Sequence, residues 1–390
     1  MERREFVAKL AAMSGAAALG CSDSRGPGPQ TEEPSLENVI VVTMENRSFD
    51  HFLGWVPGAD GRQSGLTYPD SAGVQQPTHH LTSPNGCGYA DPNHSYEGGR
   101  AEYNGGACDG WLTAPGNDLH AIGYYTAADF PFLGTAAAQW TVCDRFFTSM
   151  MGPTFPNRVI SLAGQTDRIE NTHVPSNLPT IWDRLPSKNL TGRNYGALTS
   201  SHLWGLKYSS IIRPIAAFHS DAAAGALPNV AFVDPDYSDD FGGSFHPPDD
   251  IRKGDAFLAS IYKSVVTSPQ WKSSLLIITF DEWGGFYDHV VPTTAPLPTG
   301  ERAAGNLDGL RGFRVPTILI SPFVKRGYVS SRVYDHASVL KLIETRWGLD
   351  PLTVRDAEAN DMMADLSFVN PVLTAPAIDV SSGPFTVPCG

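Results

Sequence analysis

Short apolar runs, each closed by a polar cluster, recur along the chain: NVIVVT at 38–43, NVAFV at 229–233, LLIITF at 275–280 and VPTILI at 315–320. Apolar and polar residues do not alternate within them. Each run therefore predicts a strand covered on both faces, as in a parallel sheet with helices above and below. Between the runs, 255–266 (DAFLASIYKSVV) and 336–347 (HASVLKLIETRW) carry apolar residues at helical spacing. Strands alternating with helices predict a doubly wound α/β fold. Residues 55–130, rich in Gly, Asn, Pro and aromatics, break this rhythm and predict a long excursion over the sheet, a kind of segment that is usually functional. Its aromatics fit either an apolar rim for lipid or a packed core.

The first 21 residues, MERREFVAKLAAMSGAAALGC, follow a different pattern. Arg3, Arg4 and Lys9 precede a short Ala/Gly-rich apolar stretch, too short to span a membrane, which reads as an export leader. The Arg-Arg-x-Phe-Val order resembles the twin-arginine type. Ala-Leu-Gly-Cys ending at Cys21 resembles a lipoprotein cleavage site, the alternative being ordinary cleavage nearby. Residues 22–36 then form a polar linker, and 37–390 a single domain. The expected location is the periplasm or cell envelope, lipid-anchored or secreted. In that compartment Cys87, Cys108, Cys143 and Cys389 make an even set. Cys87 and Cys108 flank a loop-rich segment, so the expected bonds are Cys87–Cys108 and Cys143–Cys389.

Composition narrows the function classes. Among 390 residues, 28 are basic and 41 acidic, for a formal net charge of −13. That balance excludes nucleic acid as a partner, because no basic stripe could collect phosphates. The 38 glycines and 31 prolines suit a loop-rich globular chain and not a helical bundle. No apolar run after residue 20 approaches the roughly 20 residues of a membrane helix.

Ligands of open α/β sheets bind beyond the carboxyl ends of the strands. After NVIVVT come Met44, Glu45 and Asn46; after LLIITF come Asp281 and Glu282. Two acidic clusters at neighbouring strand ends repel unless a cation lies between them, and hard oxygen donors suit a divalent metal such as Mg²⁺, Ca²⁺ or Mn²⁺. Either cluster alone would read as helix capping. Thr154, held between Pro153 and Pro156 before an apolar run, predicts a hydroxyl at the start of a helix beginning near Pro156. It is either a nucleophile beside the metal or a simple N-cap. His94 (DPNHSYEGG) and His246 (SFHPPDDI) stand in polar loops suited to phosphate contact or proton transfer. His51 reads as structural, with His289 and His336 as secondary candidates.

Five ordered blocks, TMENRSFDHFLG, MGPTFPNRVISLAG, HPPDDIRKGDAFLASIYKSVVTSPQW, ITFDEWGGFYDHVVP and VPTILISPFVKRGYVSSRVYDHASVLKLIE, resemble the phosphoesterase family of non-specific phospholipases C and related acid phosphatases. The resemblance runs from about Glu37 to Leu349. It implies an alkaline-phosphatase-like α/β/α sandwich with a mostly parallel central sheet. It also implies a divalent metal (Mg, Ca, Mn or Zn) held by Glu45, Asn46, Asp281 and Glu282, with Thr154 as nucleophile and His94 and His246 against the phosphate. Residues 193–226 match weakly, where the leaving group should be recognised, and Trp283 stands where plant members tend to carry His. The expected activity is that of an exported phospholipase C working through a phospho-threonine. Its partners would be a phospholipid or other phosphoester and, through that lipid and a lipidated Cys21, a membrane surface. The alternatives are a phosphomonoesterase of acid-phosphatase type and an inactive surface-binding lipoprotein.

Overall fold

Asn38–Met44 and Ser274–Phe280 pair in parallel, from Asn38 opposite Ser274 to Met44 opposite Phe280, and both strands are buried along their whole length. Continuous β-branched runs are what such a doubly covered position requires. The pair lies inside an eight-stranded sheet ordered Tyr328–Ser330, Thr141–Cys143, Ile318–Ile320, Ser274–Phe280, Asn38–Met44, Val230–Val233, Gly192–Tyr195, Ile212–Arg213. Ile318–Ile320 runs antiparallel to both neighbours, against the expectation of a parallel strand there. An apolar run reports burial and carries no information about direction. The other neighbouring pairs are parallel. The computed structural model describes residues 34–196, 198–235, 243–380, 383 and 385. The predicted leader with Cys21, nearly all of the linker, and Cys389 lie outside them.

Helices gather in two groups, completing an α/β/α arrangement. Thr154–Ala163 packs with His336–Trp347, while Ile251–Val266 packs with Pro131–Gln139 and Ile215–Ala224. No described helix is long and apolar enough to cross a membrane. The excursion folds largely inward. Tyr68, Trp111 and Ile122 form a second apolar cluster with Met151, Trp283, Tyr287 and Phe313. Burying a ring such as Phe313 stabilises by roughly 1.5–3 kcal/mol over leaving it exposed. The aromatics of this segment thus serve mainly as core, although Val74, Tyr89 and Leu119 remain exposed.

The expected disulfides do not form. Cys108 and Cys143 are free, buried thiols, so Cys87–Cys108 and Cys143–Cys389 are both excluded. Cys87 is disulfide-bonded, to neither of them. Flanking a loop in sequence does not bring two thiols to the separation that a disulfide needs. Cys143 ends a buried strand and Cys108 sits in the second apolar cluster, where burial pushes both thiols up, Cys108 to about 12.

Candidate active site

The register of the two central strands places Met44 beside Phe280, so the residues that follow them emerge together. Asp281 N–H donates back to Met44 O (3.0 Å), and Arg47 N–H to Glu282 O (3.2 Å). Asn46 has φ +57°, a left-handed conformation that Asn tolerates better than most residues. Gly284 lets the second turn approach the first: a Cβ there would lie 2.2 Å from Asn46 O. The two acidic strand ends are therefore one site. Asp281 Oδ1 accepts from Asn46 N (3.4 Å) and Glu282 N (2.8 Å), and Glu282 Oε2 accepts from Gly284 N (2.6 Å).

Thr154 opens the helix Thr154–Ala163, two residues earlier than expected, with Pro153 as N-cap. Thr154 is the first residue of the helix and not its cap, and the capping proline makes no side-chain hydrogen bond. The capping role is therefore not used. Asn157 fastens the preceding loop, accepting from Met150 N–H (3.0 Å) and donating to Gly152 O (2.8 Å). Arg158 lies four residues after Thr154, on the same helix face. Its Nε donates to Asp281 Oδ2 (2.8 Å), its Nη1 to Asp234 Oδ1 (2.7 Å), and its Nη2 stands 3.5 Å from Glu45 Oε1. Asp234 also accepts from Thr199 Oγ1 (2.8 Å).

Arg158, Asp234 and Thr199 were not among the residues expected from the sequence. Asp234 directly follows the buried strand Val230–Val233, so the strand-end rule that found Glu45 and Asp281 would have found it too. Arg158 stands in the Pro-Asn-Arg block already singled out. Of residues 193–226, Asn194 and Thr199 both reach this ion-pair group through Asp234, and Thr199 also accepts from Arg158.

Three buried carboxylates, Glu45, Asp234 and Asp281, face this one buried guanidinium, and a fourth, Glu282, is buried next to Asp281. Burial pushes Asp281 to about 6 and Glu282 well up, opposed by Arg158 at Asp281 and reinforced by Asp281 at Glu282. Asn46 Oδ1 and Glu282 Oε1 are buried without a hydrogen-bond partner. Unpartnered oxygens in a net acidic pocket fit a divalent cation. Arg158 stands between Glu45 and Asp281, so these donors are not drawn together as tightly as a preformed cage.

His94 and His246 do come together, with ring centroids 6.0 Å apart. His94 Nε2 is 3.3 Å from Asn46 Nδ2 and 3.8 Å from Glu282 Oε1, so one wall of the acidic site is shared with it. A cleft of about 420 Å³ is lined by Asp91, His94, Tyr96, Pro153, Glu170 and Asn171, among others. Of the secondary histidines, His289 belongs elsewhere, while His336 supports the strand end that carries Asp281. His289 bridges Asp50 (2.5 Å) and Asp60 (3.1 Å). His336 donates to Phe280 O (2.9 Å). His51 is buried, bonded to Gly123 O and Arg47, and structural as expected. Trp283 is fully buried, donating to Glu102 Oε2 (2.8 Å), whose carboxyl burial pushes up to about 8.

The family model described as Phosphoesterase family matches residues 36–208 and 197–350. The chain is 30% identical to non-specific phospholipase C6 of Arabidopsis thaliana, over 93% of this chain and 76% of that protein. It is also 30% identical to phospholipase C B of Mycobacterium tuberculosis, over 95% of this chain and 86% of that protein. Among solved structures it is similar to murine ectonucleotide pyrophosphatase/phosphodiesterase 5, with 10% identity and a TM-score of 0.47 over 84% of this chain and 98% of that one. The chain belongs to the phosphoesterase family and is a hydrolase of phosphoester bonds.

Proposed function

We propose that the protein is an exported phospholipase C that cleaves phospholipids to diacylglycerol and a phospho-head group, with Thr154 as nucleophile. The observation that carries this reading is the placement of Thr154, a hydroxyl at the first helical position, after the cap, on the face that Arg158 ties to Asp281. Phospholipases C of plant and bacterial origin among the similar proteins support the substrate class. The Arg-Arg leader pattern supports export, and Cys21 supports a lipid anchor.

Glu45, Asn46, Asp281 and Glu282 would hold the divalent cation. Bound there, the ion would favour the alkoxide form of Thr154 and offset charge on the phosphoryl oxygens. Thr154 Oγ1 forms a bond to phosphorus as the bond to the glycerol oxygen breaks. Water later attacks the phospho-threonine, releasing the phospho-head group and restoring the hydroxyl. Arg158, side chain leaning towards the helix N-terminus, holds Asp281 and Asp234 in place.

His94 and His246 are unsuited to the proton-donor role expected of them while neutral. His94 Nδ1–H donates to Pro92 O (2.8 Å) and His246 Nδ1–H to Pro247 O (2.6 Å), leaving lone pairs at both Nε2 atoms. The departing alkoxide would take its proton from water in the open cleft.

A diester suits this cleft better than the dianion of a monoester. Its lining includes Asp91 and Glu170, and no Lys or Arg is among the described residues that line it. Turnover of phosphatidylcholine and bis-p-nitrophenyl phosphate should therefore exceed that of p-nitrophenyl phosphate. Acid quenching during turnover should leave added phosphoryl mass on the peptide containing Thr154, and Thr154→Ala should lose roughly 10³-fold or more in kcat. An unmodified Thr154 together with an active alanine variant would mean direct attack by water.

A further inference from the structure

Glu102 is a fully buried acid that the hydrolytic reading leaves unused. It stands on the helix Tyr96–Tyr103, which opens directly after His94 with Ser95 as its cap. A carboxyl group is costly to bury unless its oxygens are hydrogen-bonded, and here both are. Trp283 Nε1–H donates to Oε2 (2.8 Å) and Asn117 Nδ2–H to Oε1 (3.0 Å). The indole, also fully buried, belongs to the residue after Glu282 and meets the Phe313 ring edge-on, with centroids 5.6 Å apart.

Asn117 carries the link to the opposite wall of the site. Its Oδ1 accepts from Asn93 N–H (2.6 Å), one residue before His94, and its Nδ2 also donates to Trp111 O (2.8 Å). A backbone N–H can meet only the oxygen of a carboxamide, so the Nδ2 end is the one that faces Glu102. Gly285 lets the two walls touch, since a Cβ there would lie 2.7 Å from the Pro92 carbonyl carbon. Glu102 is thus joined to the turn after Glu282 directly and to the His94 loop through Asn117. Between these walls Glu282 Oε1 stands 3.8 Å from His94 Nε2.

We propose that Glu102 is a positioning residue for phosphoester hydrolysis. Its two oxygens clamp the indole behind Glu282 and, through Asn117, the backbone before His94, and so fix the separation of the two walls. This role rests on the reading of Glu282 as a donor to the divalent cation. Both partners of Glu102 are donors, so the position needs two acceptors. A carboxyl group keeps acceptor capacity at both oxygens whether ionised or protonated, whereas the NH₂ end of Gln has none. Glutamine, although of the same size, would turn that end against an N–H and displace the indole or Asn117.

The test uses the full chain carrying Glu102→Gln, Asn117→Ala, Trp283→Phe or Glu282→Gln. Mn²⁺ affinity is measured by calorimetry, kcat and KM on bis-p-nitrophenyl phosphate, and stability by urea unfolding. Glu102→Gln should weaken Mn²⁺ binding and lower kcat by roughly 10–100-fold, with KM nearly unchanged. Asn117→Ala, at a half-buried position that leaves the Trp283 bond in place, should act in the same direction by a smaller factor. It decides the matter if Glu102→Gln does not fold. The Glu102→Gln/Trp283→Phe double variant should lose no more than its more damaged parent, because the NH₂ group then meets no indole N–H. A residue that only stabilised the fold would lower urea stability and leave the Mn²⁺ affinity and kcat of the folded variants alone. That result, or losses that add in the double variant, would overturn the role of Glu102 while Glu282→Gln loses the metal. If Glu282→Gln binds Mn²⁺ as tightly as the unmutated chain, the metal reading fails and the role of Glu102 with it.

Discussion

Arg158 Nε donates to Asp281 Oδ2 at 2.8 Å, with both side chains about 1% exposed. The same guanidinium reaches Asp234 at 2.7 Å. One cation from a helix therefore holds carboxylates from the ends of two strands. Removing one partner of a buried pair leaves the other charge uncompensated, at a cost of about 3–5 kcal/mol. Arg158→Met should lower unfolding stability by about that much in urea titrations. Arg158→Lys should recover only part of it, because an ammonium cannot reproduce the fork that spans both acids.

The oxygen-donor site should be sensitive to acid. Burial raises Asp281 to about 6, with Arg158 opposing and Glu45 adding to the rise. Below pH 6 its carboxyl holds a proton that a metal must displace, so metal affinity should fall by up to about tenfold per pH unit there. Isothermal titration with Mn²⁺ at pH 5 and pH 7 measures this. Asp281→Asn should bind weakly and lose most of the pH dependence. Chelation should abolish phosphodiester hydrolysis reversibly.

Thiol accessibility distinguishes the expected from the observed cysteine arrangement. Cys108 and Cys143 are buried and unpaired. Labelling of native, unreduced protein with a maleimide should leave both unmodified, and labelling after unfolding without reductant should modify both. Peptide mapping that found either one in a disulfide would contradict the structure.

Glu344 gives stability a pH slope. Both carboxylate oxygens are buried, and burial together with the adjacent Asp356 carboxylate raises the group to about 9. The folded pKa lies above the ordinary unfolded value, so the stabilising contribution is full below about pH 4.3 and is lost as pH rises through 9. Glu344→Gln removes the ionisation. Relative to the unmodified protein it should gain about 1–3 kcal/mol between pH 5 and pH 9 in denaturant titrations. A constant difference across that range would show that Glu344 does not titrate with folding.

Much of the site was legible because its residues follow strands that announce themselves. NVIVVT and LLIITF are mostly apolar and buried along their whole length, and their observed bounds differ by one residue at an end. Glu45, Asn46, Asp281 and Glu282 follow directly from where ligands bind in α/β sheets. Thr154 was legible from the prolines around it, although its helix starts earlier than the second of them suggested. Asp234 carried the same signal after VAFV and was overlooked.

What the chain's local pattern determined, then, was the buried strands, the helices between them and the acidic residues at the strand ends, since periodicity and burial are properties of short segments. Tertiary structure decided the rest. It set the reversed direction of Ile318–Ile320, the reach of Arg158 to Asp234, 76 positions away, the free state of Cys108 and Cys143, and the meeting of His94 with His246. Each of these depends on which distant segments become neighbours, and the energy of a salt bridge, a disulfide or a ligand set depends on distances that residue spacing along the chain does not encode.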